Sequence, residues 1–314
     1  MRDLRIVFMG TPDFAVAVLD ALVNAKFNIV GVITAPDKPA GRGQKINESA
    51  VKKYALEHNL TTLQPTNLKS EEFITELQSL NANLQIVVAF RMLPKTVWQM
   101  PKYSTFNLHA SLLPDYRGAA PINWAIINGE TKTGVTTFFI DEKIDTGNII
   151  LQEEVEISDT EIVGELHDKL MQIGSKLVVE TVKLIKQDKV KTFKQSEIDE
   201  KPAPKIFSET CKINWNDSLN NIYNLIRGLN PYPAAWSTLL NNKEEVKVKI
   251  YDVKKEFELH QYKVGTLITS KNEIKVAVKN GFIKIDSLQL SGKRKMESSS
   301  LLNGFTFLEN SMMQ

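Results

Sequence analysis

The chain has 314 residues, 42% of them hydrophobic and 24% charged, with a net charge of +2, a balance that excludes a disordered chain and leaves room for two domains. Its one cysteine, Cys211, excludes an intrachain disulfide framework and a cysteine-cluster metal site, and no metal is expected. Met1 to Gly10 is too short an apolar stretch for a signal peptide and no run approaches membrane-spanning length, so the expectation is a cytoplasmic protein with no membrane partner.

Leu4 to Met9 is a β-rich apolar run ending at Gly10, and Phe14, Val18, Leu22 and Ala25 then recur at helical spacing through Asp13 to Ala25. Asn28 to Ile33 is the next strand. Gly10-Thr11-Pro12-Asp13-Phe14 is a glycine turn between strand and helix, with Pro12 suited to a first helical turn. It lacks the second and third glycines of a dinucleotide fingerprint, which argues against a nicotinamide oxidoreductase. Ala35 to Ile46 follows as a loop with two prolines, two glycines and the cations Lys38, Arg42 and Lys45, a candidate grip for phosphate although a solvated loop is the simpler account. Its glycine spacing is not that of a Walker loop.

Glu71 to Leu80 reads as a helix, and Leu84 to Phe90 and Thr105 to His109 as central strands. The alternation predicts an α/β fold, a Rossmann-like doubly wound and mostly parallel sheet. Ligands of such sheets sit outside the carboxyl ends of the strands, where Asn107 and His109 fall. Two residues apart on a strand, they project to one face and set an amide donor beside an imidazole. Val135 to Ile140 is another buried strand, and Asp145-Thr146-Gly147 is the turn after it. A carboxylate from Asp145 reaching His109 would fix its tautomer and support its charged form. Such a trio suits acyl transfer with no protein nucleophile: Asn107 and His109 would stabilise an oxyanion while His109 and Asp145 handle protons. Taken singly, each residue also has an ordinary structural reading as a strand-end or turn residue.

Asp159 to Gln187 is predicted as one long amphipathic helix with His167 on its solvated side. Lys189 to Lys205 is polar and carries Pro202 and Pro204, which places a domain boundary there. The division is a domain over 1–189, a linker over 190–207 and a second domain over 208–314. In the latter, a helix at Leu219 to Arg227 precedes alternating runs at Trp236 to Leu240, Val246 to Val253 and Val264 to Ile268. Glu273 to Leu290 reads as a hairpin turning at Asn280-Gly281. A small C-terminal β-barrel, OB-like in size and basic tint, is therefore expected. Between Lys243 and Lys295 there are thirteen Lys or Arg against seven Asp or Glu, ending in the run Lys293-Arg294-Lys295. That excess is large enough to attract a polyanion.

The segment from Asn107, Asn-Leu-His-Ala-Ser-Leu-Leu-Pro-Asp-Tyr-Arg-Gly-Ala-Ala-Pro-Ile, resembles the signature of the folate-dependent formyltransferases. Gly10 to Phe14, Pro36 to Gly43, Asp145-Thr146-Gly147, Asn230-Pro231 and Ser291-Gly292-Lys293 extend the resemblance across the chain. It implies transfer of a formyl group from 10-formyltetrahydrofolate to the free amino group of methionyl initiator tRNA. It implies further that Asn107, His109 and Asp145 are catalytic and that Ser111, Leu112, Leu113, Pro114, Phe90 and Asp145 bind the folate. By the same resemblance Lys38, Arg42 and Lys45 meet the tRNA acceptor stem, and Lys293, Arg294 and Lys295 follow its backbone. One departure is local: Ala89-Phe90-Arg91-Met92-Leu93-Pro94, in the stretch that lines the pterin in this family, is one residue short and carries Arg91 near an expected glycine. A formyltransferase acting on a small amine, such as a purine precursor or amino sugar, is the alternative. A non-catalytic nucleic-acid module is a second one. A monomer is expected.

Overall fold

The computed structural model describes residues 1–40, 45–196 and 201–314. In chain order, β1 (Arg5–Gly10), α1 (Asp13–Asn24) and β2 (Asn28–Ile33) are followed by a short antiparallel pair, β3 (Lys38–Ala40) and β4 (Lys45–Asn47). Then come α2 (Ala50–Glu57), β5 (Thr62–Leu63), α3 (Glu71–Ser79), β6 (Leu84–Val88), α4 (Lys95–Trp98), β7 (Thr105–His109) and β8 (Arg117–Gly118). Next are α5 (Pro121–Ile127), β9 (Lys132–Phe139), β10 (Ile149–Glu156), α6 (Val163–Gln187) and β11 (Pro202–Ala203). The remainder holds α7 (Leu219–Leu229), β12 (Ala235–Asn241), β13 (Glu244–Phe257), β14 (Leu267–Thr269), β15 (Ile274–Val278), β16 (Gly281–Leu290), β17 (Met296–Glu297), α8 (Ser298–Leu302) and β18 (Met312–Met313). Two compact units result. One comprises residues 1–118, 134–155 and 167–202, the other 119–133, 156–166 and 203–314.

The first unit is built on a seven-stranded sheet in the order β10-β9-β7-β6-β1-β2-β5. β1 runs parallel to β2 and β6, β2 to β5 and β6 to β7, whereas β9 runs antiparallel to β7. Strands covered on both faces read as unbroken apolar runs, and Ile6, Val7, Phe8 and Met9 of β1 are all fully buried. Gly10 lets α1 close onto that strand, since a Cβ there would stand 2.5 Å from the Ala15 Cβ. The glycine turn is thus a packing device. The order reverses between β1 and β6, and a crevice at the carboxyl ends follows from that reversal.

Two predicted boundaries move, each for a local reason. The strand expected to reach Phe90 ends at Val88 because Ala89 turns into the left-handed region with φ +46°. The helix expected from Asp159 starts at Val163, after the Glu165 carboxylate accepts the Ile162 N–H at 3.0 Å and caps the first turn.

The second unit is a nearly closed antiparallel barrel in the order β14-β15-β16-β13-β12-β18, with β17 against β16 and a bridge from Thr266 to Met312 joining the two ends. α7 buries Leu219, Ile222, Tyr223, Ile226 and Leu229 in its core. Trp215 crosses the interior and donates its indole N–H to Ser237 Oγ at 2.8 Å. The hairpin turns one residue earlier than its Asn-Gly pair suggests: Val278 pairs with Gly281, and Asn280 takes φ +62°. Gly281 instead lies within the sheet, where a Cβ would come 2.2 Å from the Glu256 carbonyl oxygen. No helix among the described residues is long and apolar enough to cross a membrane.

Candidate active site

Every side chain considered at this site belongs to the first unit. β7 ends in Asn107-Leu108-His109, with Asn107 in register with Val87 of β6 and Phe138 of β9. The Asn107 carboxamide is half-buried and has no hydrogen-bond partner among the described residues. His109 is buried, and its Nε2–H donates to the Tyr116 carbonyl at 2.8 Å. A carbonyl only accepts, so that bond commits one ring proton to Nε2 and leaves Nδ1 turned to Asp145. Nδ1 lies 3.8 Å from Asp145 Oδ2. This is ion-pair range and longer than a hydrogen bond, so Tyr116, not Asp145, sets the tautomer. Asp145 Oδ2 accepts the Gly118 N–H at 3.0 Å, and the residue holds φ +54°, a conformation that Asp tolerates better than most.

The loop from Ala110 to Gly118 wraps around this pair. Ser111 donates to the Asp115 carbonyl at 2.6 Å, and Ser111's own carbonyl receives the Thr136 hydroxyl at 2.6 Å. Thr136 Oγ1 accepts in turn from Leu113 N at 3.2 Å and from Gln152 Nε2 at 3.0 Å, while the second Gln152 donation reaches the Leu113 carbonyl at 3.0 Å. Thr136 faces His109 across the β7–β9 register and is fully buried. Thr136 and Gln152 were invisible to motif reading. A buried hydroxyl is no signal by itself, since the same strand also buries Thr133 and Thr137; what sets Thr136 apart is its register opposite His109. Arg117 gives its guanidinium to Gln195 Oε1, and burial pushes that group below its usual range, opposed by the Asp145 and Asp141 carboxylates.

Phe90 follows the turn at Ala89, half-buried against the core around Val87 and Leu93. Arg91, the departure from the family pattern, folds back onto the Thr66 carbonyl at 3.1 Å and the Pro65 carbonyl, with its guanidinium carbon 5.6 Å from the Phe90 ring centre. Burial lowers its affinity for protons. The substitution therefore pins the loop after β6 to the one after β5. A cavity of about 350 Å³ lined by Trp98, Gln99, Pro101, Ser104, Thr105 and Ile140 opens at the first residue of β7, the end away from His109.

Of the basic residues, Lys38 is exposed on β3, Lys45 lies on β4, and Arg42 falls outside the described residues. Lys293, Arg294 and Lys295 are exposed on the second unit, but Lys295 is engaged, 2.9 Å from Asp252 Oδ2 and 4.6 Å from the Tyr251 ring centre.

Residues 4–182 match the family model described as formyl transferase, and residues 205–306 match that of the formyl transferase C-terminal domain. The chain belongs to the formyl transferase family. It is 62% identical, over 98% of both chains, to a protein of Flavobacterium johnsoniae named methionyl-tRNA formyltransferase. A relative of the same name from Bacteroides thetaiotaomicron is 57% identical over 97% of this chain and 96% of its own. Among solved structures, an N-formyltransferase from Helicobacter canadensis, in complex with folinic acid and dTDP-3-aminofucose, superposes with a TM-score of 0.66. It shares 22% identity, over 93% of this chain and 100% of its own, which speaks for the fold alone. In this family member a buried imidazole with an acid beside it shares a strand face with a carboxamide that has no hydrogen-bond partner among the described residues.

Proposed function

We propose that the chain transfers the formyl group of 10-formyltetrahydrofolate to the α-amino group of methionyl initiator tRNA. The reading is carried by full-length identity, through both matched domains, to relatives named methionyl-tRNA formyltransferase. Residues 1–189, with the segment of 190–207 that returns to it at Phe193 and Gln195, serve as the folate-binding catalytic domain, the rest of 190–207 as linker and 208–314 as the tRNA-contacting domain, in the cytoplasm.

Bound folate supplies an electrophilic formyl carbon. The donor set fits it: an uncommitted carboxamide, an imidazole whose Nδ1 is not bonded to the chain, and a carboxylate. The Asn107 amide and, with the ring doubly protonated beside Asp145, the His109 Nδ1–H donate to the formyl oxygen as negative charge builds there. Asp145 supports positive charge on the ring and accepts the proton shed by the attacking amine, delivering it to the leaving nitrogen. The main chain at Ser111, Leu112, Leu113 and Pro114, braced by Thr136 and Gln152, forms the wall against which the folate lies. Lys38, Arg42 and Lys45 approach the acceptor stem, and Lys293, Arg294 and Lys295 its backbone.

One assay tests the reading. With 10-formyltetrahydrofolate as donor, purified protein is offered charged initiator tRNA, charged elongator methionyl-tRNA, free methionine and an amino sugar nucleotide. Formylation of the initiator in strong preference to all the others is expected. Turnover confined to a small amine overturns it.

A further inference from the structure

Gln195 lies in the stretch that reads from sequence as a polar linker, yet its side chain is only 6% exposed and every bonding position of its carboxamide is used. Nε2 donates to the carbonyl of Asp145 at 2.9 Å and to that of Gly147 at 2.8 Å. Oε1 accepts from Arg117 Nε at 3.2 Å and Nη2 at 2.6 Å. A carboxamide carries two donors and two lone pairs, and here all four are spent on the two segments that meet at the Asp145 carboxylate. Delivery is by backbone pairing two residues earlier: Phe193 and Ile149 exchange N–H to carbonyl bonds at 2.8 and 2.9 Å.

The turn it grips is held in part from within, by Thr146 Oγ1 donating to Asp141 Oδ1 at 2.7 Å and to the Lys143 carbonyl at 3.3 Å, but those bonds leave the carbonyls of Asp145 and Gly147 to Gln195. Asp145 sits at φ +54°, which costs a non-glycine residue about 1–2 kcal/mol. Gly147 is pressed so closely on β9 that a Cβ would stand 1.6 Å from the Phe139 carbonyl oxygen. Main-chain carbonyls on either side of Thr146 point to one amide, and that amide is tied to Arg117, the residue preceding Gly118, whose N–H holds the Asp145 carboxylate. Glutamate at 195 would set a carboxylate against two carbonyl oxygens, and alanine would remove the donor from both carbonyls and one acceptor from the Arg117 guanidinium.

We infer that Gln195 is a positioning residue that holds the Asp145 carboxylate at its working distance from His109 Nδ1. The inference rests on the reading of Asp145 as part of the active site. Displacement of a reacting group by about 1 Å costs on the order of 100-fold in rate, so Gln195→Ala is expected to lower kcat by roughly 10- to 100-fold with KM for folate and tRNA within about twofold.

The experiment is a double-mutant cycle with Gln195→Ala, Gln195→Glu, Asp145→Ala and the Gln195→Ala/Asp145→Ala pair, each also followed by amide hydrogen exchange without ligands. In the Asp145→Ala background, Gln195→Ala should cost less than about twofold, because nothing is left to position. Exchange at residues 145–147 should rise at least about tenfold in both single Gln195 variants while β1, β6 and β7 keep their protection. If the alanine variant does not fold, the glutamate variant, which keeps its size and its Arg117 partner, carries the same expectations. A near-normal kcat in a folded Gln195 variant, an equal loss with and without Asp145, or unchanged exchange at 145–147 each refutes the positioning role. Near-normal turnover in Asp145→Ala sinks the active-site reading instead.

Discussion

Replacing Asp145 by Asn removes the charge beside His109 and little else. The Asn carboxamide oxygen can still accept the Gly118 N–H, now 3.0 Å from Oδ2, and Asn tolerates the φ of +54° as well as Asp does. What is lost is Coulombic. Two unit charges 3.8 Å apart, with side chains 7% and 14% exposed, attract by about 4 kcal/mol at an effective dielectric of about 20. If that attraction acts fully on the positive ring whose Nδ1–H donates to the formyl oxygen, and 1.4 kcal/mol is about tenfold, kcat falls by about 10³-fold. Rearrangement of water into the site makes that the upper end, and about 10²-fold is the lower. The assay is single-turnover formylation of charged initiator tRNA at saturating folate, beside a thermal melt. A rate within about threefold of the parent, in a variant that melts with it, would show that Asp145 is a structural turn residue and that the 3.8 Å approach has no part in the chemistry.

Asn107→Ala and His109→Ala should each lose about 10²- to 10³-fold in kcat, the usual cost of one oxyanion donor, while folate binding by fluorescence titration persists. Normal turnover in either would remove that residue from the mechanism. Lys293→Ala should reduce the slope of log affinity for tRNA against log salt by about one, with folate kinetics unchanged, and an unaltered slope would take this cation off the tRNA path. Lys295 is the poorer probe, since its ammonium also serves Asp252 and Tyr251 in the barrel. Asp252 provides the pH test. Burial raises its carboxyl, but Ser287, Lys295 and Asn230 together hold it below the ordinary 3.8. A depressed folded value means the carboxylate contributes stability that is fully present above pH 3.8 and fades as pH falls through the folded value. The melting temperature of Asp252→Asn should therefore sit well below the parent's at pH 7 and approach it at pH 3, and a gap that stays constant across that range would contradict the linkage.

Strands β2 and β7 were legible to the residue because each is a short apolar run that ends buried in the sheet, at Val32 and Ile33 and at Leu108 and His109. Their order gave the carboxyl-end crevice, and the period of two put Asn107 and His109 on one face. Errors arose where a single bond decides. Gly281 looked like turn chemistry, and is a strand residue chosen because Glu256 passes too close for a side chain. α6 looked four residues longer because amphipathic spacing does not reveal that Glu165 caps Ile162. At the site, spacing indicated which side chains can approach one another but not which atoms they meet, so the partner that fixes His109 was assigned to a carboxylate when it is the Tyr116 carbonyl.

Gln195 shows why such partners escape. A glutamine in a charged, proline-punctuated stretch satisfies every compositional test for a linker, and those tests measure how weakly a segment is expected to pack. They average over residues. A side chain whose bonds all go to main-chain carbonyls and one arginine 48 to 78 positions away leaves no period, no motif and no composition bias. Its cost if absent is nevertheless concentrated, because a desolvated carbonyl without a donor is worth about 1–3 kcal/mol, and the two concerned belong to Asp145 itself and to Gly147, two residues on. Residues that supply reacting atoms must be particular chemical types at particular strand ends and so can be read from sequence. Those that hold them need only reach, and any stretch that the fold returns to the sheet can provide one.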